Sequence, residues 1–202
     1  MIFVCLSGKR TGSTFLERCL ASHPDIDAHG ELFTLKDAKR NENFLFWKTD
    51  KAVTFKLMYN QCQKLELMPL IKENNLPVIH LIRRSPYNKV LSDLAVKKMN
   101  EVHASEFMRY VMEYKRNVDV FRMVFSEYEF YMEVFMEDMI GNANKRKAGG
   151  TFMVKNISDD LCGFLGVKKR RLWSDTTKTG KNYWEFFEYA KELEYTIKRD
   201  SK

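Results

Sequence analysis

The sequence predicts an α/β protein, a single three-layer domain over residues 1–202 with a central, mainly parallel sheet. Three observations lead there. Short apolar runs alternate with segments of helical periodicity, the pattern of repeated βαβ units. One of those runs, Val78-Ile79-His80-Leu81-Ile82, is apolar almost throughout, as in a strand covered on both faces. And the chain opens on IFVCLSGKRTGST (residues 2–14), which reads as strand, glycine-bearing loop and helix start.

The elements follow in order. Ile2 to Leu6 is the first strand, and residues 7–12 are its polar loop. Residues 13–22 place Phe15, Leu16, Cys19 and Leu20 on one helical face, and His23-Pro24-Asp25 ends that helix because proline cannot continue the ladder. Residues 27–33 form a short extended stretch with Gly30 and Glu31, and the polar, aperiodic residues 36–50 are loop. VTFKLM (53–58) is a second strand, followed by a helix from Tyr59 that breaks near Pro69. Pro77 introduces the buried strand 78–82, with Arg83 and Arg84 at its carboxyl end, and Pro86 opens a helix with Val90, Leu91 and Leu94 inward. Phe107, Tyr110, Val111, Tyr114, Val118, Phe121 and Phe125 recur at spacings of three and four, a long amphipathic helix whose aromatic stripe is packing core. A strand over 128–135, a basic glycine-rich loop over 141–150, a short helix through Ile157, Leu161 and Leu165 ended by Gly166, and a last helix from Tyr183 to Ile197 complete the chain.

A length of 202 residues suits one domain with a full core and is cramped for two. Hydrophobic residues at 45% and charged residues at 30% exclude a disordered chain. A net charge of +7 favours anionic ligands. The longest basic block, Lys168 to Arg171, runs straight into Leu172 and Trp173, so no nucleic-acid arm is expected. Cys5, Cys19, Cys62 and Cys162 are widely spaced among apolar neighbours and read as buried, reduced thiols. A strand beginning at residue 2 leaves no room for a signal peptide, and no apolar run has membrane-spanning length. An intracellular, cytoplasmic setting without a membrane segment is therefore expected.

The opening strand–loop–helix places backbone N–H groups and the positive end of a helix dipole in one spot, which suits a phosphate. It is not the usual nucleoside-triphosphate loop, which needs Gly, four residues, then Gly-Lys-Ser/Thr. Here three residues separate Gly8 from Gly12, Ser13 stands where the Lys should be, and a basic residue precedes the second Gly: Arg10-Thr11-Gly12-Ser13-Thr14. No Asp at a strand end suggests a Mg²⁺ ligand, so no metal is expected and a triphosphate would be poorly neutralised.

RTGSTFL resembles the 5′-phosphosulfate loop of the sulfotransferases that use 3′-phosphoadenosine 5′-phosphosulfate (PAPS). The segment from Arg84-Ser85-Pro86 through Ser92 is similar to that family's 3′-phosphate motif, in which Arg and Ser lie eight residues apart. Phe135-Met136-Glu137-Asp138-Met139 and Cys162-Gly163-Phe164-Leu165-Gly166 resemble its YEDL and FLG segments, with Met136 in place of the usual Tyr. The resemblance implies a P-loop-like nucleotide-binding fold and transfer of a sulfuryl group from PAPS to a hydroxyl of a carbohydrate or small metabolite, leaving PAP. It implies that Arg10, Thr11, Gly12, Ser13 and Thr14 hold the 5′-phosphosulfate, with Arg10 over the bridging oxygen, and that Arg84 and Ser92 grip the 3′-phosphate. Phenol-type members carry a base His where Met58 stands here. The stretch from His23 to Glu31 resembles the tyrosyl-protein enzymes, and puts Glu31 on their catalytic Glu. Glu31 is thus the expected base and His29 its rival. Lys56 either touches the transferring group or merely ends its strand, and Lys178 in TTKTGKN (176–182) either covers the donor or is an exposed loop residue. His80, inside a buried strand, reads as a satisfied core residue. A nucleotide kinase with a degenerate loop and a non-catalytic nucleotide- or nucleic-acid-binding module remain the alternatives.

Overall fold

The structure is a computed structural model, described for residues 1–33, 49–64, 67–97, 102–140 and 150–176. Lys178, the loop 141–149 and the last helix all lie outside the described residues, as does most of the loop 36–50. The chain divides into two compact units. One comprises Met1–Arg84 and Met123–Thr177; the other, among the described residues, lies within Ser85–Arg122.

The first unit is built on a five-stranded, all-parallel sheet in the order β2-β3-β1-β4-β5: β1 Ile2–Ser7, β2 Ile26–Glu31, β3 Ala52–Met58, β4 Val78–Ile82 and β5 Tyr131–Phe135. The α/β class read from the alternating pattern is the class observed. Strand β1 is central and all six of its residues are buried, which explains why its sequence is a run rather than an alternation. Its neighbours are β3 on one side and β4 on the other, so the order reverses at β1 and opens a crevice at the strands' carboxyl ends.

Helix α1 (Ser13–Ala21) covers one face of the sheet. Phe15, Leu16, Cys19 and Leu20 pack with Phe3 and Cys5 of β1, Ile79 and Leu81 of β4, and Val134 of β5. Helix α7 (Lys155–Phe164) adds Leu161 and Cys162 to the same core. On β4 the opposite parity belongs to His80, which is fully buried. The hydroxyls of Tyr59 and Tyr131 lie 2.7 and 2.5 Å from its two ring nitrogens. It is a satisfied core histidine, as its strand context predicts.

Two short helices follow β3: α2 (Tyr59–Lys64) and α3 (Leu67–Glu73). Two separate helices stand where the helix from Tyr59 is expected to break near Pro69, and Pro69 itself sits in the first turn of α3, where its missing N–H has no intrahelical acceptor to lose. The last sheet strand begins at Tyr131, three residues later than predicted, because Tyr128 turns back to donate its hydroxyl to Leu76 O at 3.0 Å. Helix α6 (Met136–Ile140) follows β5 directly. A small antiparallel pair, β6 (Thr151–Phe152) with β7 (Trp173–Ser174), is too short to have left a sequence signal. Gly150 makes that pair possible: its φ is +87°, and a Cβ there would sit 2.3 Å from Ser174 O.

The second unit carries α4 (Pro86–Val96) and most of α5 (Ala104–Phe125). Ser85 caps α4, accepting from Asn88 N–H at 3.2 Å, and Pro86 takes the first helical position, as the sequence predicts. Val90, Leu91, Leu94, Val102, Phe107 and Val111 form its own core, so the aromatic stripe is packing here too.

The ladder between β2 and β3 carries one irregularity. His29 pairs with Phe55 but Glu31 pairs with Lys56: the register slips at Gly30. Without the slip, His29 and Glu31 would share a face. With it, Glu31 joins the face of Lys56, which is the α1 face, while His29 keeps the parity of Phe55. Among the described residues no helix is long and apolar enough to cross a membrane. All four cysteines are free and buried, and burial pushes the Cys5 and Cys62 thiols up to about 12.

Candidate functional site

The site sits at the carboxyl ends of β1 to β5, where five features converge within the first unit. The first is the loop 8–12. Arg10 and Gly12 both adopt left-handed backbone angles, φ +62° and +92°. For a non-glycine residue such as Arg10 that conformation is uncommon and marks a loop whose shape is over-determined by its surroundings. The Thr11 hydroxyl donates to Gly8 O at 2.8 Å, so this fully buried side chain shapes the loop from within. Gly12 is the N-cap of α1 and has no side chain to cap it. The first helical bond runs from Leu16 N–H to Gly12 O at 3.1 Å, so the amides of Ser13, Thr14 and Phe15 have no acceptor within the helix. Lys9, Arg10 and Thr14 are exposed around that ring of donors; Ser13 is buried.

The second feature is Met136, which closes the floor beneath Gly12. A Cβ on Gly12 would meet Met136 Cγ at 2.9 Å and Sδ at 3.1 Å. The position that resembled the family's YEDL tyrosine therefore acts here as a wall behind the loop.

The third is the pair of arginines after β4. Alternation along an extended chain sends adjacent side chains to opposite sides. Arg83 turns towards the loop, its Nη1 donating to Arg10 O at 3.4 Å and its Nε 3.8 Å from Glu137 Oε1. Arg84 turns the other way. Its guanidinium lies 4.3 Å from the Phe135 ring centroid and makes a two-pronged ion pair with Asp138, one arm being Nη2 to Oδ2 at 2.7 Å. Its backbone N–H donates to Glu137 Oε2 at 3.1 Å. The hydrogen bond with Asp138 holds the exposed Arg84 guanidinium above its ordinary pKa. Arg83 was missed as a site residue in the sequence. The doubled arginine after a buried strand was the available signal, since only one of the two can face the loop.

The fourth is Lys56 on β3. Its ammonium pairs with Glu17 Oε2 of α1 at 2.7 Å, and both side chains are largely withdrawn from water, 12% and 22% exposed. Glu17 is a second residue not singled out from sequence. It lies on α1 among apolar neighbours, where a lone Glu looks like ordinary helix surface. The fifth is Glu31, exposed at the end of β2, whose Oε2 accepts a 3.0 Å hydrogen bond from Gln61 Nε2.

Compared with known proteins, the chain matches no family model and no curated protein.

The structure gives the following for the remaining expected site residues. Ser92 is buried on α4 in the second unit, whereas Arg84 belongs to the first. Lys178 lies outside the described residues. His23, part of the segment leading to Glu31, is buried and structural: Nε2 lies 2.8 Å from Lys168 O, and Nδ1 accepts from Asp25 N–H at 3.1 Å. Among the described residues no group of three or more His, Cys, Asp or Glu side chains could hold a metal ion.

Chemically, a ring of helix N-terminal amides flanked by Arg10 and Lys9 can bind a phosphate-type anion. One strand further out Lys56 offers a cation, and two strands out Glu31 offers a proton acceptor. These are the parts that group transfer from an anionic donor requires: charge stabilisation at the departing oxygens and a base for the incoming hydroxyl.

Proposed function

We propose that the chain is a PAPS-dependent sulfotransferase acting on a hydroxyl of a carbohydrate or small metabolite. The observation that carries this reading is the loop Arg10-Thr11-Gly12-Ser13-Thr14, folded with two left-handed residues onto the start of α1 at the point where strand order reverses. Glu31 and Lys56 at the neighbouring strand ends support it.

In this reading the amides of residues 12–14 hold the 5′-phosphate and Arg10 stabilises the charge that develops on its bridging oxygen. Glu31 takes the proton from the acceptor hydroxyl as the oxygen forms its bond to sulfur and the S–O bond to the nucleotide breaks. The products are a sulfate ester and PAP. Lys56 reaches the transferring group from its pair with Glu17. Arg84 holds the 3′-phosphate by exchanging Asp138 for it. Four buried thiols support a reducing, cytoplasmic setting. The partners are the nucleotide donor and a small or glycan acceptor, without a nucleic acid and without a catalytic metal.

The test is thermal stabilisation by PAP, adenosine 5′-phosphosulfate, ADP and ATP, with and without Mg²⁺. Binding to the native state adds about 2.7 kcal/mol of stability at a hundredfold excess over Kd, by mass action, and so raises the melting point. PAP is expected to stabilise most, without Mg²⁺. Stabilisation by ATP only with Mg²⁺ would instead establish a kinase, and salt-sensitive nucleic-acid binding without any response to PAP would establish a binding module.

A further inference from the structure

We infer that Gln61 is a positioning residue for Glu31, a role that rests on Glu31 being the base of the proposed reaction. Gln61 stands in α2, just beyond the carboxyl end of β3, and its residue exposure is only 6%. Both ends of its amide are engaged. Oε1 accepts from the Met58 backbone N–H at 2.9 Å, and Nε2 donates to Glu31 Oε2 at 3.0 Å. The first contact decides the orientation of the second. A backbone N–H can only donate, so the oxygen of the amide must face Met58 and the NH₂ must face Glu31. The side chain is therefore a buried strut with a fixed donor end.

Glu31 needs such a strut. It is exposed and sits at the last position of β2, the edge strand of the sheet. A carboxylate there would otherwise turn through many rotamers. The register slip at Gly30 brings it to the face of Lys56, and Gln61 then fixes one oxygen, leaving Oε1 as the atom that takes the proton. Lys56, opposite Glu31 in the ladder, is itself paired with Glu17 of α1. Gln61 itself is neutral, so it can restrain the base without adding a charge beside it. It touches neither donor nor acceptor in this scheme; it acts through Glu31.

The experiment uses the full chain, with PAP release from PAPS as the readout. Acceptors are water alone, a phenol, an alkyl alcohol and a hexose. Gln61→Glu keeps an acceptor for Met58 N–H but replaces the donor with a second carboxylate. It is expected to lower kcat roughly 10- to 100-fold, the scale of a misplaced catalytic group, with KM for PAPS and PAP affinity within about twofold of the parent. The double exchange Glu31→Gln/Gln61→Glu restores a donor–acceptor pair and is expected to recover the melting temperature lost by Gln61→Glu without recovering turnover. Parent-like kcat in Gln61→Glu, or equal losses in kcat and PAP affinity, would overturn the role; so would full turnover in the double exchange. If Gln61→Glu does not fold, Gln61→Met gives the same kcat-against-KM comparison without a second charge. A parent chain that neither responds to PAP nor releases it from PAPS removes the sulfotransferase reading and this role together, whereas a parent that does both leaves the variants to decide the role alone.

Discussion

Gly12 carries two separable constraints, and substituting it measures both. In Gly12→Ala the new Cβ meets a backbone held at φ +92° and a methionine at 2.9 Å. The left-handed conformation costs an L-residue about 1–2 kcal/mol. Met136 is a flexible side chain and can move aside, but only out of its rotamer well, at about 0.5–1.5 kcal/mol. The stiffer unfolded chain adds roughly 0.4–1 kcal/mol of compensation in the opposite direction. The expected net loss is about 0.5–3 kcal/mol, a fall of roughly 1–12 °C in Tm for a chain of this size. Met136→Ala removes the wall. In that background Gly12→Ala should be less damaging by about 0.5–1.5 kcal/mol, the coupling read from a double-mutant cycle in urea. Because the loop is also the proposed phosphate site, PAP stabilisation should fall in Gly12→Ala and return only in part in the double variant. A Gly12→Ala chain as stable as the parent, or a cycle with no coupling, would refute this loop geometry.

Four further outcomes are expected. Glu31→Gln should keep PAP binding in a thermal-shift titration while PAP release from PAPS falls about 10²- to 10⁴-fold; unchanged release would take Glu31 out of the base role. Asp138→Asn should raise PAP affinity and leave adenosine 5′-phosphosulfate unaffected, since only the former must displace Asp138 from Arg84; equal changes for both nucleotides would contradict the 3′-phosphate assignment. Lys56→Met and Glu17→Gln should each destabilise by about 1–3 kcal/mol, because each leaves a largely withdrawn partner charge, and together by less than their sum in urea unfolding. Finally, Cys5 and Cys62 rise from an ordinary 9.0 to about 12 on folding because they are buried. Their folded-state stability is intact below pH 9 and is lost as pH climbs towards 12, where unfolded thiols ionise first. Urea midpoints should fall across that window, and Cys62→Ala should flatten the fall.

The fold was legible because its signals are local. An unbroken apolar run at β4 and a strand–glycine–helix start need only hydrophobic pattern and backbone preference. The candidate loop was legible for the same reason. What stayed hidden depends on pairing across the chain. Glu17 becomes interesting only when β3 brings Lys56 to α1, and Arg83 only when the loop carbonyl of Arg10 is beside it. Gln61 looked like one polar residue in a short helix, and its two hydrogen bonds could not be read from its neighbours in sequence. Strand periodicity could not separate His29 from Glu31, since two residues apart on a strand they share a side unless an extra residue intervenes.

That extra residue gives the edge of the sheet an unusual kind of adaptability. At Gly30 the identity of the proton-active group is set by counting, odd or even, rather than by which amino acids are present. Were the ladder to run through this stretch without its slip, Glu31 would lie beside His29 on the Phe55 side, and the side of the sheet that α1 covers would lose its carboxylate at this strand end.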